Sequence, residues 1–194
     1  QRGLDIVVAI DISKSMLAED IQRNRLDRAK LAAMDLMQQA KSDRLGLVGF
    51  AGSAFLQCPL TVDEAVFQQS VDSLDVNTIS RGGTAISAAI DTALSAFTQE
   101  DNYKVLVLFT DGEDQDSRAL EAAQQAAAKG LEIFTIGVGT AEGDLIRVKD
   151  ASGKVRHAIW PMIGRCMYMA GLFGPFDGEA RFVILTQPAA RGME

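Results

Sequence analysis

Cysteine and histidine are scarce in this sequence. Only two cysteines, Cys58 and Cys166, occur among its 194 residues. They could pair, but two cysteines do not make the disulfide framework of a small secreted protein. The cysteines therefore do not indicate whether the protein works in an oxidising or a reducing compartment. The one histidine, His157, fits a surface position better than a catalytic role. Cys58 precedes a proline and has no histidine near it in sequence, so it is interpreted as a packed thiol rather than a nucleophile.

Long apolar runs and clusters of basic residues are missing as well. The apolar stretch at 167–176 is far shorter than the ~20 residues that span a membrane, and the first residues lack the apolar core of a signal peptide. The sequence therefore predicts a soluble domain, and its early entry into a strand suggests that it was cut from a longer protein. Its 19 basic residues form no cluster and are outnumbered by 26 acidic ones, so nucleic-acid binding is not expected.

What the sequence does contain is typical of one globular domain with a core, since 47% of its residues are hydrophobic and 23% are charged. Strand-like runs alternate with helix-like runs. The predicted strands cover 4–10, 44–52, 54–58 (folding back on the strand before it), 103–114 and 131–139, and the predicted helices cover 25–41, 61–74, 84–97 and 117–130. A capping box of Thr61 and Glu64 is predicted to start the second helix. This alternation predicts an α/β fold, a mostly parallel sheet with helices on both faces.

Oxygen-bearing side chains follow two of the predicted strands and precede one helix. Asp11, Ser13 and Ser15 occupy alternate positions after the first strand, a spacing that puts them on one side of an extended segment. Asp111 lies in the acidic end of the strand predicted over 103–114, where Gly112 lets the chain turn, and Thr84 follows a glycine pair at the start of a helix. Ligands of parallel sheets bind beyond the carboxyl ends of the strands. We therefore expect these three loops to share one site with two carboxylates and three hydroxyls.

Every donor in this set is a hard oxygen, which favours Mg²⁺, Mn²⁺ or Ca²⁺ over zinc or copper. If the neutral hydroxyls contact the ion and the acids lie partly behind water, the ion keeps its affinity for an anion. A carboxylate from another protein would fill that position, so the site would serve adhesion. Each residue taken alone is a common turn or N-cap residue, and the prediction rests on their combined spacing.

The segments DISKS (11–15), GGT (82–84) and FTDGED (109–114) resemble the metal-ion-dependent adhesion site of von Willebrand factor type A domains. The segments 15–22, 25–33, 43–61 and 136–154 are similar to the bacterial aerotolerance (Bat) branch of that family. The resemblance implies a Rossmann-like, doubly wound fold and a metal site with five ligating residues. In that site Ser13, Ser15 and Thr84 would be direct ligands, and Asp11 and Asp111 would ligate directly or through water, depending on the conformational state.

The resemblance also implies partners and a location. Members of the Bat branch are held in the bacterial inner membrane by helices outside this domain, face the periplasm, and work with other Bat-type proteins and MoxR-type AAA+ ATPases. The partner at the metal would supply an Asp or Glu carboxylate. By this resemblance, the chain would contact a membrane only through segments outside it.

The resemblance stops at about residue 155, so we expect an adhesion domain at 1–155 and an atypical tail at 156–194. Within the tail, a helix over 161–171 and a closing strand over 181–186 would complete the fold. A tail unrelated to the family is the alternative.

Two other functions compete with adhesion. The first is Mg²⁺-dependent phosphoryl transfer with Asp11 as the acceptor. Ser13 stands where one class of such enzymes has a second acid, and the strand at 131–139 lacks the lysine that follows the late strand of another, so the sequence favours a non-enzymatic module. The second alternative is a scaffold domain that holds no metal.

Overall fold

The computed structural model describes residues 3–98, 102–112, 114 and 118–140, together with the backbone of three further strands. The strands are β1 (Leu4–Asp11), β2 (Arg44–Phe50), β3 (Ala54–Thr61), β4 (Tyr103–Thr110), β5 (Leu131–Val138), β6 (Asp144–Lys149), β7 (Val155–Trp160) and β8 (Phe182–Leu185). The helices are α1 (Arg25–Gln39), α2 (Glu64–Asp72), α3 (Ile86–Ala96) and α4 (Ala119–Ala128), and a single 3₁₀ turn covers Lys14–Leu17.

Six strands form one sheet in the order β3-β2-β1-β4-β5-β8. β3 runs antiparallel to β2, as predicted for a strand that folds back, and the other neighbouring pairs are parallel. The order along the chain reverses between β1 and β4, because β2 adds on one side of β1 and β4 on the other. Such a reversal leaves a crevice at the carboxyl edge of the sheet, where ligands of this fold class bind.

Helices cover both faces of the sheet, as predicted. Along β1, Ile6, Val8 and Ile10 belong to a core cluster that includes residues of α1 and α2. Val7 and Ala9, which alternate with them, belong to a second cluster with α3 and α4. This two-sided burial follows from the side-chain alternation of a strand and explains why β1 is an almost uninterrupted apolar run.

The predicted capping box at the start of α2 is wrong. Thr61 is the last residue of β3, and its hydroxyl accepts a hydrogen bond from the Asp63 N–H (3.0 Å). The carboxylate of Asp63 caps the helix instead, accepting from the N–H groups of Ala65 (2.9 Å) and Val66 (3.1 Å). Asp63 rather than Thr61 caps the helix because β3 extends three residues further than predicted, so that Thr61 pairs within the sheet.

The described parts of the C-terminal segment are three strands. β6 and β7 form a separate antiparallel hairpin, and β8, which falls within the range predicted for a closing strand, pairs in parallel with β5. The helix predicted over 161–171 lies outside the described residues, as does Cys166. Cys58 is a buried free thiol. Within the described ranges, no helix has both the length and the apolar character that crossing a bilayer requires.

Candidate metal centre

The first loop of the candidate site leaves the sheet at Asp11, the last residue of β1, whose side chain is fully buried. Its carboxylate accepts the N–H of Ser13 (2.8 Å), and the hydroxyls of Ser13 and Ser15 are hydrogen-bonded to each other (2.8 Å). The sequence predicts that this segment is extended, but the structure shows that it is not. Ser13 precedes the 3₁₀ turn at Lys14–Leu17, and this turn, rather than strand alternation, brings the two hydroxyls together.

The second loop follows β4, the neighbour of β1. The hydroxyl of Thr110 donates to the second carboxylate oxygen of Asp11 (3.0 Å) and accepts the Gly112 N–H (3.2 Å). Gly112 has φ +90°, a conformation that suits glycine and turns the chain just after Asp111. Asp111 is almost fully buried. Sequence reasoning missed Thr110, since its role depends on the pairing of β1 with β4.

The two carboxylates share one buried environment. Burial, and after it the negative charge of Asp111, raise the pKa of Asp11 to about 8, although hydrogen bonds from Ser13 and Thr110 oppose the rise. A carboxylic acid with so high a pKa marks a place where negative charge lacks compensation from the protein.

The third loop carries Thr84 to the same edge of the sheet. The Gly52 N–H donates to the Arg81 carbonyl (3.2 Å), and the Ala85 N–H donates to the Ala51 carbonyl (2.7 Å). A Cβ atom at position 52 would overlap the carbonyl of Gly82, so glycine there permits this close approach. The loop therefore rests directly on the turn that follows β2.

Backbone contacts link the three loops to one another. The Ile12 N–H donates to the carbonyl of Phe50, which directly precedes the turn that holds the Thr84 loop. On the other side, the Ile86 N–H donates to the Asp114 carboxylate beyond β4 (3.4 Å). The structure thus brings the three predicted loops together at the switch point, and it buries all five predicted side chains: Asp11, Ser13, Ser15, Thr84 and Asp111.

Two buried oxygens of this set are unsatisfied. Among the described residues, the Thr84 hydroxyl and the Oδ1 atom of Asp111 have no hydrogen-bond partner. An unsatisfied buried polar group costs about 1–3 kcal/mol, so two in one site call for an explanation. A hard divalent cation would satisfy both and offset the charge of the two acids. Within the described part of the chain, no three His, Cys, Asp or Glu side chains form a group that could hold a metal ion. Such an ion would therefore depend on the hydroxyls.

A buried arginine completes the site, and sequence reasoning missed it. Arg25, the first residue of α1, is 1% exposed, and its Nη1 donates to Asp111 Oδ2 (2.9 Å). Its Nε and Nη2 donate to the two oxygens of Asp20 (2.9 and 2.7 Å). One signal was available, because position 25 precedes Ala29 and Ala33 at helical spacing and so falls on the buried face of α1.

The sequence model of the von Willebrand factor type A domain matches residues 5–159. Among solved structures, BatB from Bacteroides thetaiotaomicron is 36% identical with a TM-score of 0.81, covering 96% of this chain and 92% of that one. An aerotolerance-related membrane protein from Bacteroides fragilis is 30% identical with a TM-score of 0.79, covering 95% and 92%.

A more distant structure, proximal thread matrix protein 1 from the mussel byssus with a zinc-occupied metal-ion-dependent adhesion motif, is 19% identical with a TM-score of 0.63. That match covers 72% of this chain and 39% of the mussel chain, and at this identity it shows a shared fold alone. The chain spans about half the length of the curated relatives it matches.

Proposed function

Because this chain belongs to the von Willebrand factor type A domain family, in its bacterial Bat branch, we propose that it is a non-enzymatic module that binds a partner protein through a divalent cation. The observation that carries the proposal is the pair of buried, unpartnered oxygens on Thr84 and Asp111. They lie on loops that the fold brings together at the switch point of the sheet. Sites of this fold class lie at that point.

In this proposal Ser13, Ser15 and Thr84 hold the ion directly, while Asp11 and Asp111 supply the compensating charge, directly or through water. Mg²⁺ or Mn²⁺ suits this oxygen-only set better than zinc. The bound ion supplies one coordination position for a carboxylate of the partner. The chain's own contribution is to preorganise the hydroxyls, as the contact between Ser13 and Ser15 does already.

The surface beside Thr84 supports an acidic partner. Thr84 lines an open depression together with Arg81 and Arg118, two residues whose charge complements an Asp or Glu side chain. For a partner carboxylate that approaches Thr84 from this side, long-range attraction to the arginines would speed the approach.

Phosphoryl transfer through Asp11 is a weaker candidate. Both carboxylate oxygens of Asp11 are engaged, one by the Ser13 N–H and the other by the Thr110 hydroxyl, and the side chain is fully buried. A nucleophile needs an accessible oxygen in line with the phosphorus atom, and Asp11 offers none in this arrangement. Incubation with acetyl phosphate and Mg²⁺, read by intact mass, is expected to leave the protein unmodified.

The proposed partner proteins are inferred from the family to which the chain belongs. Other Bat-type proteins and a MoxR-type AAA+ ATPase from the same genome are the first to test, with the domain exposed on the periplasmic face of the inner membrane. We expect the immobilised domain to bind such a protein in Mg²⁺ and to release it in EDTA. Binding of equal strength in Mg²⁺ and in EDTA would remove the metal from the proposal.

The metal site itself can be tested without a partner. Calorimetric titration with Mg²⁺ and Mn²⁺ should show saturable binding to the native domain and none to the double variant Ser13→Ala/Ser15→Ala. The matched control is Ser42→Ala/Ser95→Ala, which replaces two exposed serines away from the site. Equal binding by native protein and the Ser13/Ser15 variant would contradict the assignment.

A further inference from the structure

The guanidinium of Arg25 bridges two acidic side chains, those of Asp20 and Asp111. It donates two parallel hydrogen bonds to the carboxylate of Asp20 and one to Asp111. The ion pairs with Asp20 and Asp111 are almost completely buried. Buried charge of this kind persists only where it is paired and hydrogen-bonded on every side. Arg25 is therefore held in one position rather than sampling several.

Further contacts prevent the guanidinium from swinging away from Asp111. Asp20 also accepts hydrogen bonds from the N–H (2.8 Å) and hydroxyl (3.2 Å) of Thr140, just beyond β5. The backbone N–H of Arg25 donates to the carbonyl of Ala18 (3.1 Å). Arg25 is thus fixed between the segment that leads into α1, the end of β5 and the loop after β4.

This arrangement divides the two oxygens of Asp111. Oδ2 accepts the hydrogen bond from Arg25, whereas the buried Oδ1 has no partner among the described residues. Oδ1 is open to a cation or to a water bound to one, whereas the positively charged guanidinium on Oδ2 repels a cation from that oxygen. With Arg25 in place, Asp111 can act through one oxygen but cannot wrap an ion with both.

We propose that Arg25 determines metal selectivity, favouring Mg²⁺ and Mn²⁺ over Ca²⁺ by restricting Asp111 to one available oxygen. Mg²⁺ takes six ligands at short distances in a strict octahedron, whereas Ca²⁺ takes six to eight and readily accepts a carboxylate through both oxygens. A site that withholds the second oxygen disfavours the larger ion. This inference rests on the proposed metal site and adds to it a residue that sets which ion is bound.

The test is calorimetric titration of the native domain and variants with Mg²⁺, Mn²⁺ and Ca²⁺. Arg25→Gln frees Asp111 Oδ2 and should shift the ratio of Ca²⁺ to Mg²⁺ affinity toward Ca²⁺ on the order of tenfold. This magnitude is the lower end of the change in metal affinity that follows the loss of a residue supporting a metal ligand. Loss of the positive charge strengthens attraction for both ions alike, since both carry two charges. The ratio therefore isolates the geometric effect from the electrostatic one.

The matched control is Arg28→Gln, which removes the same charge from an exposed position on the same helix and should leave the ratio unchanged. Arg25→Lys keeps the charge but cannot reproduce the fork that holds Asp20, so it should shift the ratio in the same direction as Arg25→Gln. If Arg25→Gln does not fold, Asp20→Asn loosens the guanidinium and replaces it in the comparison, with a smaller shift expected.

Three outcomes are decisive. A shift toward Ca²⁺ in the position-25 variants and none in Arg28→Gln supports the role of Arg25. Folded variants that bind metal with the native ratio overturn it and leave the metal site intact. Native protein that binds none of the three ions overturns both this inference and the proposed function.

Discussion

Gly52 lies so close to the carbonyl of Gly82 that a single added methyl group would overlap it, whereas a methyl group on Gly82 would meet nothing within 4 Å. The two glycines therefore have different roles in the same loop contact. Gly52 permits the turn after β2 to support the loop that carries Thr84, and Gly82 merely lies across from it.

This asymmetry predicts opposite results for two alanine substitutions. Gly52→Ala should push residues 81–82 outward, displace Thr84 and weaken Mg²⁺ binding by about tenfold, as expected when a metal ligand loses its support. Gly82→Ala should bind Mg²⁺ as the native domain does. Calorimetry measures both affinities, and circular dichroism checks that both variants fold. Similar affinities for the two variants would show that the contact does not position Thr84.

A second prediction concerns Thr110, whose hydroxyl donates to Asp11. Thr110→Val keeps the shape but leaves a buried carboxylate oxygen without its donor, so we expect the free energy of unfolding to fall by about 1–3 kcal/mol. The control is Thr135→Val on β5, because the Thr135 hydroxyl is buried without a partner among the described residues. Removing that hydroxyl should be neutral or stabilising. Urea denaturation measures both changes, and equal losses would refute the difference in roles.

A third prediction follows from the titration of Asp11, whose pKa burial and Asp111 raise from 3.8 to about 8. Between these values the folded state binds a proton that the unfolded state has released. Without metal, the contribution of Asp11 to stability is therefore complete below pH 3.8 and is lost as the pH rises through about 8. Asp11→Asn removes this titration, so native protein should lose stability relative to the variant as the pH increases.

The measurement is the difference in free energy of unfolding between native protein and Asp11→Asn at several pH values, in EDTA and in Mg²⁺. Saturating Mg²⁺ should reduce the slope for native protein, because the ion favours the ionised carboxylate. A difference that stays constant from pH 4 to pH 8 in EDTA would mean that Asp11 titrates normally in the folded domain.

The parallel sheet and the three loops of the site were predictable because each signal is local. β1 is an apolar run that ends in an acid, β4 is one that an acid follows, and the glycine pair before Thr84 marks a loop at the start of α3. The alternate spacing of Asp11, Ser13 and Ser15 led to the right residues for a partly wrong reason, since a 3₁₀ turn and not an extended chain aligns the hydroxyls.

The supporting residues were not predictable from local pattern, because their roles depend on tertiary contacts. Thr110 contacts Asp11 across 99 positions of sequence, and Arg25 contacts Asp111 across 86. Position 25 lies on the buried face of α1, but nothing in the sequence pairs it with a particular acid. The capping box failed for a similar reason, as pairing with β2 extended β3 as far as Thr61.

A fourth prediction links metal binding to thermal stability. A ligand that binds only the folded state at 100 times its dissociation constant stabilises that state by about 2.7 kcal/mol, which corresponds to a rise of roughly 5–10 °C in Tm for a domain of this size. Mg²⁺ should produce this rise in native protein and none in Thr84→Val, which loses a buried hydroxyl that the described protein atoms leave unpaired. Because that hydroxyl is unpaired without metal, Thr84→Val should match or exceed the native Tm in EDTA. Differential scanning calorimetry in EDTA and in Mg²⁺ measures all four values, and a variant that is destabilised in EDTA would show that Thr84 serves the fold rather than the cation.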